Sequence, residues 1–126
     1  MAFNPNFNDI GKNFAQVYYQ TFDTNRANLA SLYESQSMLT FEGDQFQGRE
    51  PIMKKLTGLP FTTVKHVITT IDCQPSTDNG VVVFVVGQLK TDDDPPHGFS
   101  QCFHLKPGST NYFVLHDMFR LTLHHG

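Results

Sequence analysis

The chain has 126 residues, a net charge of −3 and 17% charged residues: one domain, and too apolar to be disordered. Its nine Lys and Arg are scattered, with Lys54-Lys55 the only adjacent pair, so it lacks the basic clustering that displaces counterions from nucleic acid. No run approaches the roughly 20 apolar residues that span a bilayer, and Met1 to Ile10 carries no basic leader, which together predict a soluble intracellular protein.

Phe7, Ile10, Phe14, Val17 and Tyr18 recur at spacings of three and four, predicting a helix of about four turns. Asn4 or Asn6 can cap it, Pro5 suits its first turn, and Phe22-Asp23-Thr24 reads as its break. Asp23 or Thr24 then caps a shorter helix through Leu29 and Leu32 to Tyr33. Met38 to Phe41 is a short strand and Glu42-Gly43-Asp44 a turn, out of which Phe46 to Gly48 leads. Glu50-Pro51 opens a third helix, packed through Ile52, Met53 and Leu56 and closed by Gly58 and Pro60.

Strands fill the back half. Thr63 to Cys73 is β-branched, and Asn79-Gly80 marks a hairpin. Val81 to Val86 is continuously apolar, which predicts a central strand covered on both faces, and Gly87 marks a bulge or bend. Phe99 to Leu105 and Tyr112 to Leu123 complete the set. Helices followed by a meander make an α+β fold over 1–126: a strongly bent antiparallel sheet wrapped on one side by the N-terminal helices. Such a cone encloses an apolar cavity at its open end.

Asp92-Asp93-Asp94, followed by Pro95-Pro96, stands on a stiffened loop between two long strands. It reads either as a solvated hairpin tip or as a surface that faces a basic partner. Adjacent residues on one loop cannot converge on an ion, so no metal is expected. Cys73 and Cys102 read as two buried thiols. Phe14, Phe22, Phe84, Phe103 and Phe113 are assigned to the core, His97 to an exposed loop, and His124-His125 to a frayed end. His66 alternates with Val64 and Ile68 and shares their face, as a general base or a hydrogen-bonded wall residue. No Gly-rich phosphate loop, G-x-S-x-G or H-x-E motif occurs.

The segments FNDIGKNFAQVYYQTFDTNRANLASLY, MLTFEGDQFQGRE, IMKKLTGLPF, VVGQLKTDDDPPHGFSQCFHL and HDMFRLTLH, in that order and spacing, resemble the nuclear transport factor 2 family over nearly the whole chain. The resemblance implies a homodimer without cofactor or catalytic activity, found in cytoplasm and nucleus and concentrated at the nuclear pore. It implies binding of the GDP-bound small GTPase Ran and of the Phe-Gly repeats of nuclear-pore proteins. Glu42, Asp92 and Asp94 match the acidic rim that pairs with basic residues of Ran. Phe41, Leu59, Phe61, Val64, Met118 and Phe119, with His66 nearby, match the cavity that takes an aromatic side chain of Ran. Phe7 matches the Phe-Gly repeat site. Many family members carry Trp at the positions of Phe7 and Phe41, whereas this chain has none. Two other readings remain: a bare dimerisation module, stand-alone because the chain stops at Gly126, and a cone-fold dehydratase or isomerase using His66 with Asp72 or Asp117 as its base.

Overall fold

The structure is a computed structural model that describes residues 3–122. Helix α1 (Phe7–Thr24) buries Phe14, Ala15, Tyr18, Tyr19 and Phe22 along one stripe. It ends at Thr24, within the expected break, and Phe22, one turn after Tyr18, carries the stripe to its last turn. A 3-10 segment, Arg26–Leu32, buries Leu29 and leads into strand β1 (Tyr33–Phe41). The expected second helix is thus a tighter coil, and Tyr33 opens a strand rather than closing a helix.

Strand β1 begins well before Met38, the expected start, because an irregularity hides its alternation. Its register against strand β6 (Tyr112–Leu121) shifts between Tyr33 and Met38. Buried Ser37 repairs the break: its hydroxyl accepts the Glu34 N–H at 2.8 Å and donates to the Val114 carbonyl at 2.5 Å. Strand β2 (Asp44–Gln47) and helix α2 (Arg49–Thr57) follow, then strands β3 (Val64–Pro75), β4 (Val81–Thr91) and β5 (His97–Pro107).

The six strands form one sheet in the order β2-β1-β6-β5-β4-β3. The α+β class stands, but the sheet is mixed rather than wholly antiparallel, because β1 and β6 run parallel. Gly87 sits at a bulge: Ile68 pairs with Gly87 and Thr70 with Val86, leaving Thr69 over. A Cβ on Gly87 would lie 2.4 Å from the Val67 carbonyl oxygen, so the close approach needs glycine. The Ser76–Gly80 turn carries positive φ at Asp78 (55°) and Asn79 (60°), one position earlier than an Asn-Gly hairpin would.

The inner face, with Leu39, Val83, Val85, Phe99, Phe103 and Phe119, packs on the helices. The outer face is open, and this overturns two expectations. Phe84, assigned to the core, is 43% exposed, and β4 is covered on one face only. Met38, Val67, Val86 and Met118 are exposed on the same side. The two cysteines are free and half-buried rather than buried. Leu123, His124 and His125 lie outside the described residues. Among the described residues no helix is long and apolar enough to cross a membrane.

Candidate functional site

A cavity of about 310 Å³ opens between the helices and the curled sheet. Tyr18 and Phe22 of α1 and Leu56 of α2 form one wall, and Leu59-Pro60-Phe61 forms a lip. Across the sheet it is lined by Val64 and His66 of β3, Leu89 and Thr91 of β4, Gln101 of β5, and Phe119 and Leu121 of β6. Phe41, at the end of β1, stacks on Phe119 at 4.7 Å, and Phe119 on Phe99 at 5.7 Å. The volume lies near the low end of the roughly 300–1,000 Å³ typical of ligand pockets, and the lining is mostly apolar.

Six of the seven residues expected in the cavity line it: Phe41, Leu59, Phe61, Val64, His66 and Phe119. Met118 does not. Neighbouring strand residues point to opposite faces, so with Phe119 inside Met118 must be outside, where it is 54% exposed. Tyr18, Leu56, Leu89, Thr91, Gln101 and Leu121 were not anticipated, and Phe22 had been assigned to the core alone. Alternation locates some of them: Leu121 follows Phe119 by two, while Thr91 and Leu89 pair directly with Val64 and His66.

His66 is held from two sides. Its ring Nδ1 lies 2.6 Å from Asp23 Oδ1, and its backbone N–H donates to Asp23 Oδ2 at 2.9 Å. Tyr19, Phe22 and Phe99 pack around the imidazole, whose side chain is only 3% exposed. The partner is therefore neither Asp72, which is exposed, nor Asp117, which serves a separate network. Tyr33 donates to Asp117 Oδ2 at 2.7 Å, Gln101 donates to its Oδ1 at 2.8 Å, and Tyr19 donates to Gln101 at 2.7 Å. Burial pushes the Asp117 carboxyl up to about 6, despite these hydrogen bonds, and raises the Tyr18, Tyr19 and Tyr33 hydroxyls well above their usual range.

The three acidic residues stand differently toward the cavity. Asp94 lines it directly, beside exposed His97. Asp92 turns back on the lip: its Oδ1 accepts the Thr62 and Thr63 N–H groups at 3.1 and 2.8 Å and the Thr63 hydroxyl at 3.2 Å. The Thr63 N–H above all lowers the Asp92 carboxyl below its usual range. Glu42, in the left-handed region at φ 51°, accepts the Leu121 N–H through Oε1 and donates its own N–H to the Phe119 carbonyl at 3.1 Å. Glu42 and Asp92 thus stand one or two residues from lining groups without lining the cavity themselves. Among the described residues no three acidic, His or Cys groups gather as a metal site would require.

Two cations brace the rim. The Arg26 guanidinium lies 4.4 Å from the Phe61 ring centroid and 4.9 Å from that of Phe22, and Nη1 donates to the Leu56 carbonyl at 3.1 Å. Its Nε is buried without a partner, and desolvation lowers the guanidinium's affinity for its proton. Lys55 Nζ lies 5.3 Å from the Phe41 ring. Phe7 stands apart: it is half-buried at the first turn of α1, whereas Phe22 lines the cavity fifteen residues on, about 22 Å along the helix.

A family model described as the nuclear transport factor 2 domain matches residues 10–121. Nuclear transport factor 2 of Saccharomyces cerevisiae is 50% identical over 117 residues, 91% of this chain and 94% of that one. Its namesake in Oryza sativa is 53% identical over 114 residues, covering 89% and 93%. The solved structure of nuclear transport factor 2 from Cryptosporidium parvum superposes with a TM-score of 0.93 at 50% identity, covering 97% of this chain and 99% of that one. A cone of this architecture, with identity of about one half over nearly its whole length to nuclear transport factor 2 of other organisms, makes this chain a member of the nuclear transport factor 2 family.

Proposed function

We propose that this protein carries GDP-bound Ran into the nucleus, taking an aromatic side chain of Ran into the cavity and pairing basic residues of Ran with Glu42, Asp92 and Asp94. The observation that carries this reading is an open apolar cavity bordered by Asp94, with Glu42 and Asp92 bonded to backbone beside its lining residues. Burying one Phe-sized side chain contributes roughly 1.5–3 kcal/mol. Exposed ion pairs add about 0–1 kcal/mol each, and desolvated interfacial pairs couple by about 1.5–7 kcal/mol. The sum is a specific complex that still releases its cargo.

Phe-Gly repeats bind through Phe7 at the opposite end of α1, so a pore contact leaves the cavity mouth free. Phe in place of Trp there offers less area and no indole N–H, which weakens each repeat contact. The outer sheet face, with Phe84, Val86, Met38 and Met118 exposed, is the surface on which two copies pair. The protein passes between cytoplasm and nucleus and concentrates at the pore.

Calorimetric titration of Ran·GDP into Glu42→Lys and Asp94→Lys variants tests the reading. Both are expected to lose binding while remaining folded and dimeric. Unchanged affinity in either variant would remove that residue from the interface, and unchanged affinity in both would overturn the reading.

A further inference from the structure

The outer face carries two histidines that cargo binding does not use. His104 on β5 and His116 on β6 are direct cross-strand partners, with ring centroids 5.7 Å apart. They share a shallow, mostly apolar groove with Met38, Thr40, Val82, Cys102 and Met118, and Asp117 also borders it. We propose that self-association through this face is governed by protonation of the His104–His116 pair, with two neutral imidazoles joining and two imidazoliums separating. The inference rests on the homodimer reading and adds a proton dependence to it.

The surroundings favour the neutral pair. His104 Nε2 bonds the Ser76 hydroxyl at 2.8 Å, and Lys106 lies two residues along β5. Burial, Lys106 and His116, in that order, already hold His104 below the usual imidazole range. From β4 comes Val82, from β3 Gln74 opposite Val82, and from β1 Met38 opposite His116, none of them charged. The acid on this face is Asp72, across from Phe84. Asp117 points inward and is committed to Tyr33 and Gln101. Among the described residues neither ring is paired with a carboxylate.

An isologous interface presents the same patch from both subunits, so two copies bring four imidazoles into one desolvated layer. Desolvation of an imidazole on association lowers its affinity for a proton. The sign follows: a base whose pKa falls on binding leaves association at full strength above its free-state pKa and weakens it as the pH drops below that value. The sensitive window lies below about pH 6.5, the ordinary imidazole value.

Sedimentation equilibrium of the full chain at about pH 7.5 and 5.5, with a His104→Gln/His116→Gln variant alongside, tests this. The wild-type dissociation constant is expected to rise roughly tenfold or more at the lower pH, and that of the double variant to stay nearly constant. A dimer indifferent to pH, or a double variant that keeps the full response, overturns the inference while leaving the dimer intact. A monomer at both pH values overturns the homodimer reading and this inference together. Proton NMR titration of the wild type against a Phe84→Asp variant, which is built to stay monomeric, leaves both histidines in place. The His104 imidazole is expected to titrate lower in the wild type, and identical titration would count against the proposal.

Discussion

Asp117 is a buried carboxyl that works against stability at neutral pH, and replacing it with asparagine should show this. Its pKa rises from 3.8 to about 6 on folding, so the folded state binds the proton more tightly than the unfolded chain does. Stability from this group is therefore complete below about pH 4 and is lost as pH rises toward 6. Two pKa units at about 1.36 kcal/mol each give a penalty of roughly 3 kcal/mol above that window. Asparagine matches the protonated acid in shape, can still accept from Gln101, and can donate to Tyr33 if that hydroxyl turns toward Tyr18, which lies 2.8 Å away. Asp117→Asn should thus be more stable than the parent at neutral pH by about 1–3 kcal/mol, an advantage that fades by about pH 4. The chain has no Trp, so urea unfolding followed by far-ultraviolet circular dichroism, at fixed protein concentration, is the suitable assay. A stability difference that does not change with pH, or a variant destabilised at neutral pH, would refute the reasoning.

Arg26→Ala removes two cation–π contacts and a hydrogen bond to Leu56, and should lower unfolding stability by about 2 kcal/mol and loosen the cavity lip, as urea titration and amide exchange at Leu59 and Phe61 would report. Gly87→Ala drives a methyl into the Val67 carbonyl and should cost about 1–3 kcal/mol in the same unfolding assay. Asp92→Ala should leave global unfolding nearly unchanged yet speed hydrogen exchange at the Thr62 and Thr63 amides, which Asp92 now engages.

Local patterning made α1, α2 and the β3–β6 meander legible. The α1 stripe was plain because Phe7 to Tyr18 repeat at helical spacing, and the Gly87 bulge because glycine in an apolar run has few other uses. The parallel β1–β6 pairing was not legible, since it joins Met38 to His116 across most of the chain and leaves no local mark. Phe84 went to the core because an unbroken apolar run resembles a doubly covered strand. The same run also describes a strand buried on one face and exposed on the other. Met118 was placed in the cavity by the family resemblance, an error that the two-residue period of a strand corrects. The His66–Asp23 pair, 43 positions apart, emerged only when the end of α1 was laid over β3.

The acidic loop resolves into separate tasks. Asp94 faces the cavity mouth, whereas Asp92 spends much of its carboxylate on ordering Thr62 and Thr63. A rim acid can therefore support the site by holding its lip as well as by meeting a basic partner. Glu42 divides its carboxylate in the same way, through the Leu121 N–H.

The central claim is that the cavity and its rim recognise one nucleotide state of one GTPase, and the measurement that bears on it most directly is a calorimetric titration of the wild-type protein with Ran loaded with GDP and, separately, with GTP. The account predicts saturable binding to Ran·GDP that weakens with added salt, and little or none to Ran·GTP. Equal binding to both states, or no binding to Ran·GDP, would contradict it.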